Sequence, residues 1–278
     1  MPPVLTIAHG GARSLAPENT LAAARKALEV GADMWELDVA VTADGELILF
    51  HDDSLVRTTD AWQVFSNRAP WTFTTFTLAE IEALDSGTWF VETDPFGQIA
   101  AGAVTSREQA CYCGEPVPTL RRALEFTRDN SWRVNVEIKT LPPPMTDFPV
   151  VEAVVSLIND LDMASQVLVS SFVPDHVMQV GRLNPSIATA VVVGWSQTEA
   201  LHMPLDLSVD GYNPRHSLLS DQQIQNLRQA SFEVHPWTVN DEAEMRRLIR
   251  AGVTGIITDF PQRLRHLLAA QESAAVSK

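Results

Sequence analysis

Two carboxylates stand one residue apart in the run Met34-Trp35-Glu36-Leu37-Asp38-Val39-Ala40-Val41, and Val134-Asn135-Val136-Glu137-Ile138-Lys139 repeats the alternation with an amide, a carboxylate and an ammonium. In an extended strand successive side chains point to opposite faces. Glu36 and Asp38 therefore share one face, and Asn135, Glu137 and Lys139 share the face opposite Val134, Val136 and Ile138. If the apolar faces pack against helices, three carboxylates and a lysine turn inward, and burying like charges uncompensated is too costly to stand. A hard divalent cation held by oxygen ligands is the simplest remedy, and such a donor set suits Mg²⁺ or Ca²⁺. The spacing alone leaves a second arrangement open, in which Glu137 pairs with Lys139 while Glu36 and Asp38 face solvent on an edge strand.

Two histidines add proton-transfer chemistry. His9 follows the β-branched run Val4–Ala8, and His51 follows Leu47–Phe50. Both are predicted at strand C-terminal ends, where β/α barrels build their sites. Near a carboxylate cluster they suggest an acid/base pair.

The elements that must position these groups alternate. Strand-like runs at 4–8, 34–41, 47–50, 134–138, 167–171, 187–193, 207–212, 232–237 and 255–258 are separated by helical patterns, which argues for an α/β fold with a largely parallel sheet. Thr20–Val30 reads as a helix capped by Asn19 and stopped by Gly31, Ser220 with Gln223 forms a capping-box pattern, and Asp241–Ala251 ends at Gly252. Asp44-Gly45 is a hairpin signal, so the strand ending at Phe50 is predicted antiparallel to its predecessor. Between about 53 and 118 the rhythm fails, with Trp62, Trp71, Phe73, Phe76, Trp89 and Phe90 set among prolines and glycines. Those aromatics are expected to bury, so the stretch reads as an inserted subdomain or lid at one end of a barrel. A length of 278 residues admits two domains or one barrel of about 250 residues. The expectation is a (β/α)₈ TIM-type barrel as one domain over 1–278, with the insertion after its second or third strand, and a frayed end from Ala274 to Lys278.

Thirty-five acidic against 20 basic residues give a formal charge of −15. Its field repels polyanions, so nucleic acid and anionic membrane are unsuited as partners. No run approaches the roughly 20 apolar residues of a membrane span, and Met1-Pro2-Pro3-Val4-Leu5 has no basic region before an apolar run; the expectation is a cytoplasmic protein. Cys111 and Cys113 are one residue apart, a poor spacing for a disulfide and only half of a four-ligand zinc site. They read as reduced loop residues.

Taken in order, the motifs make a recognisable series: Ala8-His9-Gly10-Gly11, Pro17-Glu18-Asn19-Thr20, Glu36-Leu37-Asp38, Asp44-Gly45, His51-Asp52, Arg57-Thr58-Thr59, Glu137-Ile138-Lys139, Trp237-Thr238-Val239-Asn240 and Gly255-Ile256-Ile257-Thr258-Asp259-Phe260-Pro261. Each is weak alone; the series, from about residue 7 to 262, resembles the glycerophosphodiester phosphodiesterase family. The resemblance implies a phospholipase-C-like phosphodiesterase barrel that hydrolyses glycerophosphodiesters to glycerol 3-phosphate and an alcohol. It implies Glu36, Asp38 and Glu137 as ligands of one divalent cation, Mg²⁺ or Ca²⁺ with Mn²⁺ also admissible. It implies His9 and His51 as the acid/base pair, Lys139 as a phosphate or substrate contact, and Trp237 as an aromatic that shapes the pocket. One departure stands out: the family usually has His-Arg-Gly at the first motif, and Gly10 occupies the arginine's place, with Arg13 nearby either as its substitute or as a surface arginine. A lysophospholipase-D-like activity on larger lipid phosphodiesters, with the aromatic insertion as an apolar groove, is an alternative, as is a non-catalytic phosphodiester-binding homologue.

Overall fold

The computed structural model describes residues 4–194 and 208–276. Nine strands form one sheet: β1 (Leu5–Ala8), β2 (Met34–Val41), β3 (Leu47–Leu49), β4 (Val134–Ile138), β5 (Val167–Ser171), β6 (Ala188–Val193), β7 (Gly211–Pro214), β8 (Glu233–Val234) and β9 (Gly255–Thr258). Eight are parallel neighbours in the order β8-β7-β6-β5-β4-β2-β1-β9. Backbone bonds from Thr254 to Val234 (3.1 Å) and from Ile257 to Pro236 (3.0 Å) bring the two ends of that path together, so the sheet nearly closes into a TIM-type barrel. β3 is the exception and runs antiparallel to β2, Val41 opposite Leu47, as the Asp44-Gly45 turn predicts.

Helices α1 (Leu21–Glu29), α6 (Leu120–Asp129), α7 (Val150–Asp160), α8 (Pro174–Leu183), α9 (Asp221–Gln229), α10 (Glu242–Ala251) and α11 (Pro261–Val276) follow or join the barrel strands. The predicted caps hold with one shift: α1 is capped by Thr20, whose hydroxyl accepts from Ala23 N, and not by Asn19. Asn19 is drawn away because its amide bonds Asp38 in the barrel mouth. The strand expected at 207–212 is Gly211–Pro214, and Leu207 lies outside the described residues. Ala274–Val276 continue α11, while 277–278, included in the expected frayed end, also lie outside them.

All eight residues of β2 are buried. Its outward side is fixed by Trp35, which stacks on Trp132 with ring centroids 6.2 Å apart and donates to Thr127 Oγ1 at 2.9 Å on α6. Two large rings with their polar handles satisfied anchor the strand that carries Glu36 and Asp38. Inside the barrel the apolar packing is small, Ile7, Met34 and Ile257 with Leu5 and Trp237 against them.

Between β3 and α6 lie four short helices, α2 (Ala61–Val64), α3 (Leu78–Glu82), α4 (Thr88–Thr93) and α5 (Ser106–Tyr112). Phe76 and Phe90 are fully buried there, and Phe96 meets Phe260 beyond β9 edge-on at 5.7 Å. Trp62 departs from the expectation of burial: it is 52% exposed, because it sits on the one-turn α2, which buries only Ala61. Cys111 belongs to α5 instead of a loop, Cys113 caps that helix, and both thiols are free. Among the described residues no helix is long and apolar enough to cross a membrane.

Candidate active site

The register of β2 on β4 sets Glu36 beside Asn135 and Asp38 beside Glu137. Strand parity turns all four inward, and one oxygen from each of Glu36, Asp38 and Glu137 lies within 4.8 Å of the others. Burial pushes the Glu36 carboxyl well above its ordinary range, with the charges of Asp38 and Glu137 adding to it. Glu137 is pushed up to about 7, by burial first and then by Asp38. Burial opposes ionisation of Asp38 too, yet Lys139, His51 and the Asn19 amide outweigh it and hold the carboxyl at about 2. Three crowded carboxylates, two of which resist ionisation, form a donor set that fits a hard divalent cation.

Backbone and side chains hold these groups in place. Gly10 N donates to Glu36 Oε2 at 2.9 Å, and Asn19 clamps Asp38 twice, its amide on Oδ2 at 2.9 Å and its Oδ1 on the Asp38 backbone N at 3.0 Å. The His9-Gly10-Gly11 turn needs its glycines: both have positive φ, and a Cβ on Gly11 would lie 2.6 Å from that of Ala23.

Each histidine rests on a carboxylate. His9 Nδ1 lies 2.7 Å from Asp259 Oδ1, and His51 Nδ1 lies 2.6 Å from Asp52 Oδ1. A carboxylate only accepts, so Nδ1 carries the proton in both and Nε2 is the nitrogen not committed to that carboxylate. The bond to Asp52, then the charge of Asp38, raises the pKa of His51. Asp52 is gripped by Arg57 Nε at 2.5 Å, and Arg57 reaches on to Glu18 at 2.6 Å.

One cavity of about 410 Å³ gathers His9, Glu36, Asp38, His51, Glu137, Lys139 and Trp237 in its lining. Lys139 Nζ donates to Asp38 Oδ1 at 3.1 Å and to the His51 carbonyl at 2.9 Å, so its ion-pair partner is Asp38, not the Glu137 considered from spacing. Burial lowers the Lys139 pKa, but Asp38 and Glu137 more than reverse this. Trp237 donates to the Asn213 carbonyl at 2.8 Å and meets Phe172 edge-on. Arg13 is outside that lining, its guanidinium 2.7 Å from Glu18 and stacked over Phe96.

Several participants carried no role in the sequence reading. Asp52, Arg57, Glu18 and Asp259 stand inside the motifs, but what they touch depends on contacts as distant as the 250 residues between His9 and Asp259. Asn135 was placed inward by parity alone. Asn213 was missed altogether, because the strand expected at 207–212 ends before it.

Residues 9–263 match the model of the glycerophosphoryl diester phosphodiesterase family. The chain belongs to that family. It is 31% identical over 265 residues to a glycerophosphodiester phosphodiesterase of Caldanaerobacter subterraneus, covering 95% of this chain and 97% of that one. A Bacillus subtilis glycerophosphodiester phosphodiesterase is 31% identical over 264 residues, covering 93% and 84%. Among solved structures, a Silicibacter pomeroyi protein superposes with a TM-score of 0.80 at 24% identity over 98% of this chain and 95% of that one, a likeness of fold. An Oleispira antarctica phosphodiesterase in complex with the product sn-glycerol-3-phosphate aligns at 27% identity with a TM-score of 0.74, covering 95% and 96%. Within this glycerophosphoryl diester phosphodiesterase family member, Gly10 remains the departure at the first motif.

Proposed function

We propose that the chain hydrolyses glycerophosphodiesters to glycerol 3-phosphate and an alcohol, in a reaction that depends on a divalent cation and uses His9 and His51 as base and acid. The observation that carries this reading is the convergence of three crowded carboxylates and two carboxylate-backed histidines on one cavity. The Oleispira antarctica relative with its bound product supports the substrate class.

Glu36, Asp38 and Glu137 would hold the cation, Mg²⁺, Ca²⁺ or Mn²⁺. When bound, it neutralises phosphate charge and activates oxygen toward phosphorus. His9, with Nδ1 committed to Asp259, presents Nε2 to take the proton of the attacking glycerol hydroxyl, and water then opens the cyclic glycerol phosphate left by loss of the alcohol to give glycerol 3-phosphate. His51 is biased toward its protonated form by Asp52 and Asp38, which suits it to protonate the departing alkoxide. Lys139, held between Asp38 and the His51 carbonyl, brings positive charge to the phosphate, and Trp237 forms an apolar wall beside it. Arg13 contributes from behind His9 through Glu18 and Asp259, where the family's usual arginine is replaced by Gly10. The 53–118 stretch is an insertion on a single barrel domain.

A second reading, lysophospholipase-D-like cleavage of larger lipid diesters, draws on the exposed Val56, Trp62 and Val64 of the insertion. Product analysis separates the two. Glycerophosphocholine should yield glycerol 3-phosphate and choline, with activity lost on chelation. Faster choline release from lysophosphatidylcholine would favour the lipid reading, and no release from either would leave a binding homologue.

A further inference from the structure

Around the barrel β7 is four strands from β2 in either direction, so Asn213 stands across the cavity from the carboxylates. It is 1% exposed, and among the described residues neither its Oδ1 nor its Nδ2 has a hydrogen-bond partner. Asn135 Oδ1, on the same cavity, is likewise unpartnered. Buried polar groups are as a rule paired, and an amide that pairs with nothing in the protein is less favourable there than an apolar side chain of the same shape. Phe172, Trp237, Val192 and Ile257 supply an apolar lining to the same space.

We infer that Asn213 is a specificity-determining residue whose amide receives a hydroxyl of the diester's polyol arm, with Asn135 Oδ1 as an acceptor for a second hydroxyl of that arm. Whichever way the Asn213 amide is turned, it offers one oxygen acceptor and an NH₂ donor. A hydroxyl both donates and accepts, so it satisfies both. A quaternary ammonium does neither, and an alkyl chain leaves the amide unpaired. The carbon skeleton of a short polyol fits the apolar lining between. The site thus selects the hydroxyl-bearing arm on β7 while the phosphate sits by the β2 and β4 carboxylates. This rests on the phosphodiester reading above.

Calorimetric titration of the Ca²⁺-loaded protein with sn-glycerol 3-phosphate and with propyl phosphate, which has the same phosphate and chain but no free hydroxyl, tests it. The wild type should prefer sn-glycerol 3-phosphate by about 10- to 100-fold, since a site built to pair a hydroxyl rejects the analogue lacking it. In Asn213→Leu that preference should fall to about threefold or less, and Asn213→Ala, which adds no bulk, should do the same if the leucine variant folds poorly. A preference that survives both substitutions, or an equal loss of both ligands, overturns the inference. A wild type that binds both esters equally overturns it too, while leaving the phosphodiester reading in place. A wild type that binds neither ester overturns both.

Discussion

The guanidinium of Arg13 lies 2.7 Å from the buried carboxylate of Glu18, and the path of its side chain runs past Gly10. A Cβ on Gly10 would sit 3.4 Å from Glu18 Cβ and 3.8 Å from Arg13 Cδ. Arg13 therefore fills the space beside the position where the family usually has arginine, and it meets there a carboxylate that Arg57 also holds. Through Glu18 the two arginines link the surroundings of His9 to those of His51.

Arg13→Ala should leave Glu18 paired with Arg57 alone. Uncovering half of a buried ionic contact costs about 1–3 kcal/mol, or roughly 2–4 °C in Tm per kcal/mol for a chain of this size. Because Arg13 also lies 3.4 Å from His9 Nδ1, kcat should fall more than KM rises. Thermal melts and steady-state kinetics check this. An unchanged Tm with a large rise in KM would instead make Arg13 a direct phosphate contact.

The carboxylate cluster predicts a response to metal that does not need turnover. Relieving repulsion among Glu36, Asp38 and Glu137 should make Ca²⁺ or Mg²⁺ raise Tm, and a ligand at 100 times its Kd adds about 2.7 kcal/mol. Chelation should reverse the shift and abolish hydrolysis. Asp38→Asn should lose most of the thermal shift, as measured by calorimetry with and without metal.

How much of this was legible in the sequence depended on the range of each interaction. Period-two alternation is local, so the shared face of Glu36 with Asp38 and that of Asn135 with Glu137 could be read directly, as could the antiparallel β3 from Asp44-Gly45, whereas that both faces turn inward depends on closure of the barrel. Caps are nearly local and came out within one residue; Asn19 failed as a cap because a barrel contact claimed its side chain. The partners of the histidines could not be assigned, since nothing in Asp259 or Asp52 themselves indicates which imidazole they face. Strand ends are weakly encoded near Pro214, which kept Asn213 out of view.

Replacing His9 or His51 with Ala should lower kcat by about 10²-fold or more. The double variant should lose much less than the product, since groups acting together are non-additive. With p-nitrophenol as leaving group, which needs no proton, His51→Ala should be impaired far less than with choline. Asp259→Asn should cost about tenfold or more by disturbing the tautomer of His9. Equal impairment of His51→Ala on both leaving groups would remove it from the acid role.

Lys139 stands between Asp38 and the His51 carbonyl, so its loss should act on two fronts. A hydrogen bond to a charged group contributes about 1.5–3 kcal/mol, and each 1.36 kcal/mol is tenfold in rate. Lys139→Ala should reduce kcat/KM by about 10- to 150-fold and weaken the ionisation of Asp38. If kcat/KM moves less than about twofold with metal still bound, Lys139 serves only its pair with Asp38.

His235, just beyond β8, supplies a pH dependence separate from catalysis. It is buried, among the described residues neither ring nitrogen has a hydrogen-bond partner, and the carboxylate of Glu233 is 3.9 Å away. Burial lowers its pKa from the ordinary 6.5 to about 4, aided by Arg133 and Arg228 and opposed by Glu233. Above about pH 6.5 the imidazole is neutral in both folded and unfolded chains and contributes nothing to the slope. As pH falls below that value the unfolded chain takes up the proton first, so stability is lost down to about pH 4, below which both states are protonated. A shift of this size corresponds to about 3 kcal/mol. Urea unfolding at pH 7 and pH 4.5 should show the wild type losing about 2–3 kcal/mol more than His235→Leu, the carboxylates contributing alike to both proteins. Equal losses in the two would mean that His235 is hydrated or protonated in the folded barrel, and that the acid sensitivity originates in the carboxylates instead.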